Sequence, residues 1–162
     1  MQIAVVSDTH GHVASTREAV RVLEALGVAA VLHCGDIGSP AIVPLFAAWP
    51  AHFVFGNVDQ DESDVQRAIE AAGQTCHGRF GSVELAGRRI AFLHGDDAAA
   101  LAETIDSGQY DLVCYGHTHR AEHHMQDGTL VLNPGALYRA NPHSFAVVDL
   151  SSMDVWSIPL SG

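Results

Sequence analysis

Five short stretches of the chain share a vocabulary of Asp, His, Asn and Gly, and each follows an apolar run. Residues 3–6 lead into Ser7-Asp8-Thr9-His10-Gly11, and 31–34 into Gly35-Asp36. Residues 53–55 lead into Gly56-Asn57-Val58-Asp59, 90–93 into His94-Gly95, and 112–115 into Gly116-His117-Thr118-His119. The donors on offer are two carboxylates (Asp8, Asp36), four imidazoles (His10, His94, His117, His119) and one amide oxygen (Asn57). That is too many for one tetrahedral zinc and too rich in nitrogen for calcium. The set suits two divalent transition ions sharing a bridging carboxylate roughly 3.5–4 Å apart, as in two-metal hydrolases. On an extended chain Asp-x-His and His-x-His each point both side chains to one side, and the adjacent glycines let the backbone turn sharply away. One such motif is no more than a polar strand end, but five in series describe a site.

The composition narrows the chemistry further. The chain has 162 residues, 48% of them hydrophobic, which is enough for one domain (1–162) with a real core. It carries 19 Asp+Glu against 8 Lys+Arg, a formal charge of −11. All of its basic residues are arginines, so a Walker A loop, a Schiff-base lysine and a lysine general base are excluded. The acidic balance also argues against a nucleic-acid groove or a polybasic membrane patch. Eleven histidines are an excess that points to metal. Cys34, Cys76 and Cys114 form no Cys-x-x-Cys pair and read as reduced thiols of a cytoplasmic protein. No signal peptide is read at Met1-Gln2-Ile3, and the most apolar stretch, 41–56, is broken by Pro44, Pro50 and His52 and is too short to span a bilayer.

The elements that must position these groups alternate through the first two thirds. A strand at 3–6 is followed by a helix at 13–26 closed by Gly27, with Val13, Thr16, Val20 and Leu23 on one face. A strand at 29–34 precedes a helix opened by Ser39-Pro40, with Ile42, Leu45, Phe46 and Trp49 as its core stripe. A third strand at 52–55 and a helix at 62–72 follow. Strands at 82–85 and 89–93 flank Ala86-Gly87-Arg88, and a helix at 97–106 precedes a strand at 112–115. Strands at 122–125 and 129–132 flank Asp127-Gly128, and strands at 145–150 and 154–158 close the chain. The sum is α/β with mixed sheets flanked by helices, and in open α/β sheets ligands gather at the carboxyl ends of strands.

With these residues in this order, the chain resembles the calcineurin-like metallophosphoesterases, in their small single-domain bacterial and archaeal branch. The pattern is Asp8-x-His10, Gly35-Asp36, Gly56-Asn57-x-Asp59, His94 and Gly116-His117-x-His119, with the later Asn133-Pro134-Gly135 matching the small branch. The resemblance implies a four-layer αββα sandwich and two divalent ions, manganese as the expected metal and iron, nickel or zinc as alternatives. It implies that Asp8, His10, Asp36 and His119 hold one ion, and that Asp36 bridges to a second held by Asn57, His94 and His117. A hydroxide bridging the ions then attacks a small phosphoester, most readily a diester, with Asn57, Asp59 and His94 as the catalytic group. Asp59 is expected to orient a neighbouring ligand from behind the centre. His12, Arg120 and Arg139 are candidate phosphate contacts or proton donors. Small relatives often form homo-oligomers. Two departures stand out. Val58 occupies a position where many relatives carry a histidine that protonates the leaving group, which favours good leaving groups. Gly38 interrupts the Asp-Arg-Gly continuation of the phosphoprotein phosphatases.

Three other readings are open to the same residues. A eukaryotic retromer subunit resembles this small fold and serves as an interaction scaffold with an eroded metal site, but the ligand set here is complete. Cys114 and Arg120 satisfy the Cys-x5-Arg spacing of cysteine-dependent phosphatases, yet a strand and turn follow where a helix should begin. A metal-storage or sensing protein is the third, although an Asn ligand and a bridging Asp suit open coordination better. His33, His52, His77, His123, His124 and His143 are read as structural or solvated, and Cys34 and Cys114 as small buried hydrophobes.

Overall fold

The computed structural model describes residues 1–160. Along the chain run β1 (Gln2–Val6), α1 (Val13–Leu26), β2 (Val31–His33), a 3-10 helix (Pro40–Phe46), β3 (Ala51–Phe53) and α2 (Glu62–Ala71). Then come β4 (Thr75–Cys76), β5 (Phe80–Leu85), β6 (Arg88–Leu93), α3 (Ala98–Asp106) and β7 (Leu112–Cys114). The last four are β8 (Ala121–Gln126), β9 (Thr129–Pro134), β10 (Ser144–Asp149) and β11 (Asp154–Pro159). They form two mixed sheets, one in the order β11-β10-β1-β2-β3-β4 and one in the order β5-β6-β7-β9-β8.

Side-chain alternation along the central strands builds three apolar layers. Ala4 and Val6 of β1 face α1, α2 and the 3-10 helix, where Leu23, Phe46, Val65 and Ile69 are buried. Ile3 and Val5 face the opposite way, into a layer between the sheets shared with Leu32, Ile90, Phe92, Leu112 and Leu130. Ala91, Leu93 and Val113 form the third layer under Leu101 and Ile105 of α3. The result is a four-layer αββα sandwich. Strands buried on both faces favour apolar side chains at every position, which is why 3–6, 90–93 and 112–115 read as unbroken apolar runs and 31–34 is interrupted by His33 alone.

The local signals act as their chemistry requires. Gly27, at φ 66°, ends α1 in the left-handed conformation. Asp97 caps α3 by accepting from the N–H groups of Ala99 and Ala100. Asp127 and Gly128, at φ 49° and 89°, make the two-residue turn between β8 and β9.

Some sequence expectations need correction. The segment opened by Ser39-Pro40 is a 3-10 helix, not an α-helix, because Pro44 has no N–H to give the carbonyl of Pro40. Trp49 lies beyond its end, although it is buried. The turn between β5 and β6 is Ala86-Gly87 alone, since Arg88 already pairs with Leu85. The third strand ends at Phe53, and the two-residue β4 was not predicted because so short a strand leaves no periodicity.

Candidate metal centre

All five polar stretches lie at the carboxyl ends of β1, β2, β3, β6 and β7, three from one sheet and two from the other. Their backbones are not extended. Asp8, His10, Asp36, His117 and His119 have φ of 57°, 46°, 54°, 67° and 60°. Each non-glycine residue in this region costs about 1 kcal/mol or more. Asp8 and His10, and likewise His117 and His119, therefore do not sit two apart on an extended strand end, as expected, but on backbone that turns through left-handed positions. Five strained residues among seven candidate ligands mark a place where long-range contacts hold the loops against local preference.

The loops bring the ligand atoms into one row. His119 Nε2 lies 3.1 Å from Asp8 Oδ1 and 3.3 Å from His10 Nε2, and His10 Nε2 is 3.7 Å from both Asp8 Oδ1 and Asp36 Oδ2. His94 Nε2 is 3.3 Å from the other Asp36 oxygen, Oδ1. Bonds of about 2.1 Å to a common ion place neighbouring ligand atoms roughly 3.0–3.4 Å apart, close to these separations. Asp8, His10 and His119 form one cluster and Asp8, Asp36 and His94 a second. Asp36 thus presents one oxygen toward His10 and one toward His94. His117 is exposed and lies in neither cluster, its ring centroid 5.1 Å from that of His94. Asn57 is exposed at the rim, between Gly56 and Val58, which both lie against Asp36.

Proton positions in the row follow from its neighbours. His94 Nδ1 is 2.8 Å from the Cys34 carbonyl oxygen and His119 Nδ1 is 3.2 Å from that of Arg139. A carbonyl accepts, so both Nδ1 atoms carry hydrogen and both Nε2 atoms present lone pairs to the row. Burial lowers His10 below the ordinary imidazole value against the pull of Asp36 and Asp8, which keeps it a neutral donor of electrons. Burial alone would raise Asp36, but the His94 ring and the Val58 N–H hold its carboxyl below the usual range. Burial also lowers His94, and there Asp36 and Asp8 win and raise it, so the cluster is short of positive charge. Asp8 Oδ1 and His94 Nε2 are buried without a hydrogen-bond partner. Such groups are costly unless something binds them, and divalent ions fit this donor set.

Behind the row, three side chains hold the loops. Asp59 accepts from Gly38 N at 2.8 Å, Gly56 N at 2.8 Å and Ile37 N at 3.2 Å, clasping the loop after β2 to the loop after β3. Its carboxylate is spent on these bonds, so it acts through the loops. His33 is buried, and its Nδ1 accepts from Gly35 N. Its Nε2–H is thereby directed to Thr9 Oγ1, 3.1 Å away, which donates to the Ile37 carbonyl. Asn133 donates to the Gly116 carbonyl at 2.8 Å and to Thr118 Oγ1 at 3.0 Å. Sequence reading missed the roles of His33, Thr9 and Asn133; the one local signal was Asn133 within Asn-Pro-Gly.

The remaining candidates are distributed around the mouth. His12 caps α1, accepting from Ser15 N, and its ring stacks on Tyr138 at 4.1 Å, so its contacts are with these residues rather than the ligand row. The Arg139 guanidinium lies over the Tyr138 ring at 5.9 Å. Arg120 is exposed, one residue beyond His119. Cys114 is buried between the sheets, and burial pushes its thiol far above the ordinary value, so it is no nucleophile. His123 and His124 are exposed on the edge strand β8.

A four-layer sandwich whose two sheets end together on a half-buried row of Asp and His side chains defines the metallophosphoesterase class of fold. The chain belongs to the calcineurin-like phosphoesterase superfamily, whose domain model matches residues 1–153. It is 33% identical over 138 residues, covering 83% of each chain, to a phosphodiesterase of Methanocaldococcus jannaschii. A solved structure described as a novel archaeal phosphodiesterase is 29% identical, with a TM-score of 0.92 over 99% of this chain and 100% of its own. Vacuolar protein sorting 29 of Cryptosporidium parvum shares the fold, at 19% identity and a TM-score of 0.66 over 99% of this chain and 98% of its own.

Proposed function

We propose that this chain is a metal-dependent phosphodiesterase with a binuclear centre, acting on a small phosphoester. The observation that carries the reading is the half-buried ligand row, with Asp8 Oδ1 and His94 Nε2 left without hydrogen-bond partners. Asp8, His10, Asp36 and His119 would hold one ion, and Asp36, Asn57, His94 and His117 the other. Bound divalent ions supply the acidified water and the positive charge that phosphoester hydrolysis needs, manganese being the expected metal. The chain's own residues set the stage for that chemistry. Cys34 and Arg139 carbonyls fix the His94 and His119 rings, and Asp59 sets the separation of the Asp36 and Asn57 loops. Val58 is exposed and carries no proton, while its N–H is engaged with Asp36. The leaving group must then depart without help from that position, which favours aryl and other acidic alcohols.

The M. jannaschii relative supports a diesterase, and a family likeness to vacuolar protein sorting 29 at 19% identity speaks for the fold alone. The phosphodiesterase relative, at 33% identity against 19% for the sorting protein, favours the enzyme over the scaffold. Unpaired Cys34, Cys76 and Cys114 suit the reducing cytoplasm, and among the described residues no helix is long and apolar enough to cross a membrane. The test is hydrolysis of bis(4-nitrophenyl) phosphate by manganese-reconstituted protein. Turnover that disappears with chelation and returns with metal is the expected result. Reconstituted protein that leaves the diester intact would overturn the reading.

A further inference from the structure

The ligand row has two ends, and a cavity opens at each. The cavity beside His119 is about 440 Å³ and is lined by Thr118, Arg120, Arg139 and Asn141 among others, with no Asp or Glu. The cavity beside His94 is about 300 Å³ and is lined by Phe80, Asp96, Asp97 and Arg79. Arg79 is already committed to Glu62 at 2.7 Å, and Phe80 is 43% exposed. The two cavities therefore differ in sign.

The arginines explain the difference. Arg67, Arg79 and Arg89 pair with Asp64, Glu62 and Asp111. Arg17, Arg21, Arg88, Arg120 and Arg139 face no carboxylate within 4.0 Å among the described residues, and of these Arg120 and Arg139 line the cavity beside His119. Arg139 is held in place twice, by its guanidinium over the Tyr138 ring and by its carbonyl on the His119 ring. Two guanidinium groups lining one acid-free cavity beside the candidate metal centre offer donors for a second anion. At the other end, two acids repel an anion, and the exposed Phe80 ring offers an apolar surface.

We infer that the enzyme discriminates the two arms of its diester: the arm that ends in a carboxylate or phosphate lies in the cavity of Arg120 and Arg139, and the neutral arm lies toward Phe80. This rests on the phosphodiesterase reading and specifies its substrate class, a phosphodiester carrying a second anionic group on one side.

The test uses 4-nitrophenyl phosphodiesters whose second arm is ethyl, carboxyethyl, phosphonoethyl or trimethylammonioethyl, with manganese-reconstituted protein at low salt. The expected order in kcat/KM is anionic above ethyl above cationic, with about tenfold between carboxyethyl and ethyl. The carboxyethyl and phosphonoethyl arms separate the two sources of anion. In Arg120→Gln/Arg139→Gln the ratio of anionic to neutral kcat/KM falls toward one, whereas in Arg17→Gln it is unchanged. Calorimetry with carboxyethyl and ethyl methylphosphonates, which carry no aryl leaving group, reads the same preference in binding. If the ethyl diester is hydrolysed but charge on the second arm makes no difference, the inference fails while the phosphodiesterase reading stands. If no diester is hydrolysed, that reading fails, and equal binding of the two phosphonates then overturns the cavity assignment as well.

Discussion

His94 donates its Nδ1–H to the carbonyl oxygen of Cys34 across 2.8 Å, tying the end of β6 in one sheet to the end of β2 in the other. One bond therefore sets the ring orientation of a candidate ligand and adds a polar tie between the two sheets, whose packing the apolar layer between them maintains. His94→Ala removes the ligand but leaves the apolar layers intact. We expect elemental analysis to show one ion per chain in place of two, with an unchanged circular dichroism spectrum. Two tightly held ions in the variant would refute the assignment of His94.

Asp36 presents its two oxygens to His10 and His94, 3.7 Å and 3.3 Å away. Asp36→Asn removes the negative charge and leaves one neutral oxygen where there were two, and metal-dependent turnover should fall more than about a hundredfold, as it should in His117→Ala. Cys114→Ala, deep between the sheets, should keep its turnover per folded molecule while losing about 1 kcal/mol of stability. A Cys114→Ala variant that folds but does not turn over would revive the cysteine mechanism.

Asp59 touches only backbone N–H groups in the row's supporting loops, yet its loss should be felt at the metal. Burial raises its carboxyl against three N–H bonds that lower it, so an amide at this position turns one donor toward another. For Asp59→Asn, metal affinity measured by calorimetry should fall about 10–100-fold. Affinity equal to wild type would show that the clasp is not needed.

Gly116 and Gly56 sit where a side chain cannot. A Cβ at Gly116 would run into Ser7 Oγ and the Asp8 carboxylate, and one at Gly56 into the Asp36 carboxylate. Gly116→Ala and Gly56→Ala should therefore weaken metal binding more than a surface alanine substitution affects either metal or melting temperature. Wild-type titration curves for both variants would mean that the ligands have more room than the geometry gives them.

Burial lowers the His33 imidazole to about 3, from an ordinary value of 6.5. Between these values the unfolded chain holds a proton there that the folded chain does not. Stability thus falls as pH drops below about 6.5, by about 1 kcal/mol per pH unit for this one proton. Urea midpoints of chelated protein between pH 7 and 4.5 should fall more steeply for wild type than for His33→Gln. Parallel slopes would place the proton elsewhere.

The candidate ligands were legible because their chemistry is carried by residue type. An Asp, a His or an Asn after an apolar run announces a donor at a strand end, whatever else the fold does. The paired sheets were legible for the same reason, since strands buried on both faces favour apolar residues throughout, and the Asp127-Gly128 turn stated its own geometry. The 3-10 helix at Pro40–Phe46 was readable in principle from two prolines four apart, but a hydrophobic stripe looks alike on either helix.

Other features depend on residues far apart in the chain. Asp59 reads as one more acid until its carboxylate is seen holding Ile37 and Gly38, more than twenty residues away. His33 reads as a core histidine until the path from Gly35 through its ring to Thr9 and Ile37 is traced. The left-handed turns at Asp8, His10, Asp36, His117 and His119 run against local preference, so no local pattern foretells them. The amino-acid sequence determined which atoms are available to bind metal and phosphate, because that is a property of side chains. Packing of the two sheets determined which of those atoms meet, their proton positions and the charge of the cavity at each end, because these depend on distances that only long-range contacts fix.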